Sequence, residues 1–226
     1  KPGTLLISLD FELMWGMFDK VPLADYGDRI AGVHEVVPKL LTLFEKYGIH
    51  ATWATVGMLG FKNREELEQC LPDGKARPSY QDQSVSAYHY LQTTSQLEER
   101  YHFAPALVEQ ICKTPGQELA SHTFSHLYAL EAENLEEAFR TDCRAQKELC
   151  ARFNGTPTSL VFPRNQVHES ALQIAEEEGI TAYRGVAGHP LYQARSEARQ
   201  TNLILRALRL LDHYLPLSGH QTSNVS

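Results

Sequence analysis

Short apolar runs alternate with amphipathic stretches along nearly the whole of this chain, and that alternation limits what it can fold into. Leu5–Asp10, Thr52–Gly57, Glu118–His122, Ser159–Arg164 and Thr181–Val186 read as strands. Between them, Val33–Tyr47, Asn63–Leu71, Ala104–Lys113, Asn134–Phe153 and Glu169–Glu178 read as helices, and Leu203–Tyr214 as a final one. In the helix over 33–47, Val36, Val37, Leu40, Leu43 and Phe44 fall on one side, and Gly48 supplies the stop. Strands alternating with helices imply βα units and a parallel sheet. That order suits a barrel or an open doubly wound sheet. No GxGxxG or phosphate-loop pattern is present, which weakens a nucleotide-binding version.

At 226 residues the chain fits one sizeable domain with a continuous core. No run of eighteen apolar residues exists, so no membrane span is expected. A net charge of -7 and the lack of a basic stripe argue against a nucleic-acid footprint. The four cysteines form no CxxC pair. Cys143 and Cys150 are placed on one helix about 10 Å apart along its axis, beyond reach of a mutual disulfide. Free thiols in a reducing compartment, hence a cytoplasmic location, are expected. The polar segment 72–94 reads as an irregular insertion over one face.

Three groups of residues sit where such folds place their chemistry, at the C-terminal ends of strands. Asp10 and Glu12 end the first strand as a DxE pair, and side chains two apart on a strand point to the same face. Two carboxylates that close repel unless a cation lies beside them. An isolated DxE is more often a solvated strand end. His122 and His126 follow the third strand as HxxxH, a spacing that puts both rings on one side of a helix and suits zinc and related metals. Alone, HxxxH is commonly a chance surface pair. Arg164 ends the fourth strand, and a lone arginine is usually a surface residue; beside carboxylates it can hold one ionised. The convergence of the three is what argues for a site.

The stretches SLDFE, SHTFSH and FPRNQ resemble the leading motifs of the polysaccharide deacetylase family, metal-dependent carbohydrate esterases. The resemblance runs from about residue 4 to 186 and is most similar to the branch linked to bacterial surface-polysaccharide and lipopolysaccharide biosynthesis. It implies an α/β fold, a distorted (β/α) barrel, around one divalent metal, with zinc the expected ion. Carried over by motif, Asp10 matches the general base, Glu12, His122 and His126 the metal ligands, and Arg164 the arginine that holds the base. The first motif departs from the family, with Phe11 between the two acids where many members have adjacent aspartates. The late Leu-x-His motif, which supplies the general acid, has no counterpart; His189, His213 and His220 are the histidines available, and the five strands fall short of a closed barrel. The expectation is therefore a single catalytic domain over 1–226, an incomplete barrel that stops before its last strands. The implied activity is removal of N-acetyl groups from an amino sugar. Rival readings are a deformylase or cyclic-amide hydrolase of the same superfamily, and a metal-free carbohydrate-binding relic. Trp15 and Trp53, with Tyr80, Tyr88 and Tyr90 on the insertion, are candidates to stack on sugar rings or cover the cleft.

Overall fold

A computed structural model describes residues 5–186, 190–193, 195–196, 202–215 and 218–219. Five strands, β1 (Ser8–Phe11), β2 (Ala51–Thr55), β3 (Gln117–Ser121), β4 (Ser159–Val161) and β5 (Ala182–Arg184), form one sheet in the order β1-β2-β3-β4-β5, every pair parallel. The helices among the described residues are α1 (Leu23–Ala31), α2 (Val33–Tyr47), α3 (Arg64–Gln69), α4 (Ala87–Thr93), α5 (Glu99–His102), α6 (Pro105–Lys113), α7 (Leu135–Arg152), α8 (Glu169–Glu177) and α9 (Leu203–Tyr214).

The strand order decides between the two architectures left open by the sequence. A doubly wound sheet reverses direction at a switch point, whereas here each strand lies beside its predecessor. The sheet is also curled. Laid flat, its first and last strands would stand about 19 Å apart at 4.8 Å per strand. Yet Arg184 on β5 hydrogen-bonds Asp10 on β1 at 2.7 and 3.0 Å. The fold is an incomplete (β/α) barrel.

The convex face of the sheet carries the core. Phe11 meets Trp53 edge-on, and Trp53 packs on Phe44 of α2. A second cluster joins Leu160 and Phe162 to Phe139 on α7 and Ile174 on α8. Because strand side chains alternate, the residues of opposite parity, Ser8 and Asp10 on β1 and Arg184 on β5, project to the concave face. Gly48 closes α2 in a left-handed conformation at φ 60, as a C-terminal glycine should.

Segment 72–94 holds two single-turn 3-10 helices and α4. Its tyrosines are structural. Tyr80 and Tyr88 are buried, and Tyr90 stacks on Phe18 while its hydroxyl meets His102 at 2.9 Å. Trp15 is fully buried and donates its indole N–H to the carbonyl of His102 at 2.7 Å, so it packs rather than presenting a ring to sugar. Trp53 is likewise in the core.

Candidate active site

The site gathers at the C-terminal ends of β1 and β3. β1 stops at Phe11, and Glu12 leaves the strand with φ -129 and ψ -18 at the head of a 3-10 turn. Strand alternation therefore does not reach Glu12. Its carboxylate turns toward β3, and a Cβ on Gly16 would overlap it, so the glycine is the space the carboxylate occupies.

The histidine pair does not lie on a helix, contrary to the reading of HxxxH. His122 follows the last residue of β3, and the chain to His126 is an irregular loop with positive φ at Thr123 (60) and His126 (53). Its backbone N–H groups at Phe124 and Ser125 bond the carboxylate of Asp142 on α7 instead of a helical carbonyl. Both imidazoles are nonetheless buried and convergent. The Nε2 atoms of His122 and His126 lie 3.3 and 3.2 Å from Oε2 of Glu12.

Those distances have a simple meaning. Ligands about 2.0–2.1 Å from a tetrahedral ion stand roughly 3.3–3.4 Å from one another. The protonation pattern agrees. Nδ1 of His122 is 2.8 Å from the carbonyl oxygen of Val161, which can only accept, so Nδ1 carries the hydrogen. With Nδ1 so engaged, Nε2 of His122 is the nitrogen left facing the Glu12 carboxylate, where an ion could sit between them. Nε2 of His126 is buried with no hydrogen-bond partner. Among the described residues, Glu12, His122 and His126 are the group whose ligand atoms cluster closely enough to share an ion. Burial works against ionisation of Glu12, but the two imidazoles beside it outweigh this and hold it well below the usual carboxylate range. Burial is also what lowers His126, favouring the neutral, ligating imidazole.

The expected contact between Arg164 and Asp10 is corrected. Arg184 is the guanidinium on Asp10, donating to both carboxylate oxygens and, at 3.3 Å, to the hydroxyl of Ser8. β4 ends at Val161, so Arg164 lies beyond the strand, in a 3-10 turn with a left-handed backbone at φ 54. That turn aims its side chain at the carbonyl of Gly16 (2.7 Å), the hydroxyl of Tyr128 (3.1 Å) and Asp19 (3.4 Å). Tyr128 also donates to Asp19 at 3.0 Å and sets its ring edge against His126. Arg164 thus ties the Glu12 turn to the His126 loop. Arg184, Asp19, Tyr128 and Asp142 were not singled out from the sequence. Only Arg184 carried a usable signal, an arginine closing a strand in AYRGV. Of the candidate acids, His189 and His220 lie outside the described residues, and His213 is exposed on α9 beside Tyr214.

The sequence model for polysaccharide deacetylases matches residues 11–183. The chain belongs to the polysaccharide deacetylase family. No curated protein matches it. A Mycobacterium smegmatis protein described as a polysaccharide deacetylase superposes with a TM-score of 0.51 at 14% identity, over 79% of this chain and 49% of its own. A Streptococcus pyogenes deacetylase solved with acetate gives 0.42 at 13% identity, over 77% and 52%. A CE4-family pseudoenzyme from Bacillus anthracis gives 0.46 at 11% identity, over 93% and 52%. The chain spans about half the length of these solved structures. Among the described residues no helix is long and apolar enough to cross a membrane.

Proposed function

We propose that this deacetylase-family chain is a metal-dependent hydrolase that removes N-acetyl groups from an amino sugar of a bacterial surface polysaccharide or its precursor. The observation that carries the reading is the triangle of Glu12 Oε2 with the two buried Nε2 atoms, spaced as ligands of one ion are. Glu12, His122 and His126 would hold a divalent ion of the zinc kind, which when bound would supply Lewis acidity to water and to an acetyl carbonyl. Asp10, on the strand that leads into Glu12, takes the proton of the attacking water. Arg184 grips both Asp10 oxygens in plane and so sets the direction of the lone pairs left for that proton. Arg164 acts at one remove, bracing the turn that carries Glu12.

The test is release of acetate from a panel of N-acetylated nucleotide sugars and oligosaccharides by the 226-residue chain, with and without added zinc. Acetate that appears only in the presence of metal supports the proposal. Formate release in its place assigns the deformylase reading, and purified protein that binds no metal and releases no acyl group overturns the catalytic one.

A further inference from the structure

Asp142 is a buried carboxylate with no part in the chemistry above. It projects from α7 into the loop between the two histidines. One oxygen accepts the N–H of Phe124; the other accepts the N–H of Ser125 at 3.0 Å and the Ser125 hydroxyl at 2.5 Å. Two successive N–H groups following a left-handed residue form a backbone nest, a concavity suited to an anion. Here the anion is a side chain of the protein itself. We infer that Asp142 is a positioning residue for the metal site, whose carboxylate holds the His122–His126 loop in its ligating shape. The inference rests on the reading of Glu12, His122 and His126 as ligands.

The surrounding contacts explain why one residue would matter so much. The loop is fixed on its other side by carbonyls. Thr123 accepts from the N–H of Gly57 at 3.1 Å, and Phe124 from that of Met58 at 2.9 Å. The N–H of Leu127 is taken by the Thr123 hydroxyl at 2.7 Å. Among the described residues, the two central N–H groups, at Phe124 and Ser125, are taken by Asp142. The loop is held with positive φ at Thr123 and His126, conformations that side-chain-bearing residues keep only when their surroundings impose them. Without the carboxylate, two buried N–H groups would lose their acceptor and the loop would relax toward ordinary backbone angles. The histidine rings, 5.2 Å apart at 61°, would move with it. An amide in place of the carboxylate has the same shape but one accepting oxygen, so it can serve only one of the two sides.

The experiment measures zinc affinity of the metal-free chain by competition with a chromophoric chelator, beside the melting temperature of the metal-free protein. D142N is expected to melt cooperatively while binding zinc roughly 10–100-fold more weakly, the range seen when groups supporting metal ligands are removed. A purely structural role would lower the melting temperature and leave zinc affinity unchanged. S125A, which removes only the hydroxyl bond, is expected to lose roughly three- to tenfold, and it decides the matter if D142N does not fold. Zinc affinity within twofold of the parent in folded D142N, or in S125A where D142N is unfolded, overturns the inference and leaves the ligand assignment standing. A parent protein that binds no zinc overturns the ligand assignment itself.

Discussion

At Asp10 each carboxylate oxygen accepts from a different nitrogen of the Arg184 guanidinium, which fixes the plane of the acid as well as neutralising its charge. A base used once per turnover gains from being held in this way, since a wandering carboxylate meets the water in few of its orientations. Asp10→Asn should keep zinc affinity within a few-fold and lose turnover by about 10²–10⁴-fold, the usual worth of a positioned base. Arg184→Lys, which retains the charge but not the fork, should lose kcat while KM for the sugar hardly moves. Steady-state acetate release with both variants checks this. Near-parental turnover by Asp10→Asn would remove Asp10 from the mechanism, and near-parental turnover by Arg184→Lys would show that charge alone suffices. The equivalent experiment at Arg164 reads differently, because its partners are Gly16, Asp19 and Tyr128.

Among the elements, α7 does two jobs with opposite faces. Inward, Asp142 holds the histidine loop, and Gln146, one turn on, donates to the carbonyl of Thr55 at 3.1 Å, at the end of β2. Outward, Arg144 and Lys147 reach Glu178 beyond the end of α8 at 3.0 and 2.8 Å, with Arg140 at 3.4 Å. Lys147 first, and Arg144 with it, holds Glu178 below the ordinary glutamate range. A carboxylate lowered on folding stabilises the protein at pH values above its unfolded pKa and loses that contribution as pH falls through the folded one. Glu178→Gln should therefore lower the melting temperature at neutral pH by a few degrees at most, because these charges are partly solvated. The gap from the parent should shrink as acid is added below the ordinary glutamate pKa. A gap that stays constant from neutral pH into acid would show that the ion pairs contribute nothing.

Elements whose signals are local were legible in the sequence. The helix over 33–47 and that over 203–214 were found to the residue, since the apolar period lies within each segment and Gly48 marks the end of the first. Helix α1 was missed, because Gly27 at its centre reads as a breaker; the structure uses that glycine to admit the ring of Tyr101, which would stand 3.2 Å from an added Cβ. The HxxxH stretch looked helical because spacing carries no record of Asp142, some twenty residues on. In the same way, one arginine closes β5 and another follows β4, and which of them meets Asp10 depends on how far the sheet curls. That property belongs to all the strands together and to no window of sequence.

Over the whole molecule the candidate site works as a clasp between distant stretches of chain. Glu12 comes from the end of the first strand, and the histidines from the third, 110 and 114 residues further on in the numbering. Arg184 joins the last described strand to the first. Because these groups come together only in the folded chain, an ion that binds them binds the native state and scarcely the unfolded one, so affinity becomes stability. At a free zinc concentration one hundred times Kd the gain is about 2.7 kcal/mol. For a domain of this size that corresponds to a rise in melting temperature of roughly 5–10 °C. The rise should reverse on adding a chelator. It should also vanish in Glu12→Gln, which leaves the two imidazoles in place but takes away the anionic ligand that joins β1 to β3. Melting curves of parent and variant, each with zinc and with chelator, make the comparison. A zinc-dependent rise of equal size in Glu12→Gln would mean that the metal stabilises the fold from somewhere other than this clasp, and the assignment of Glu12 as a ligand would fall.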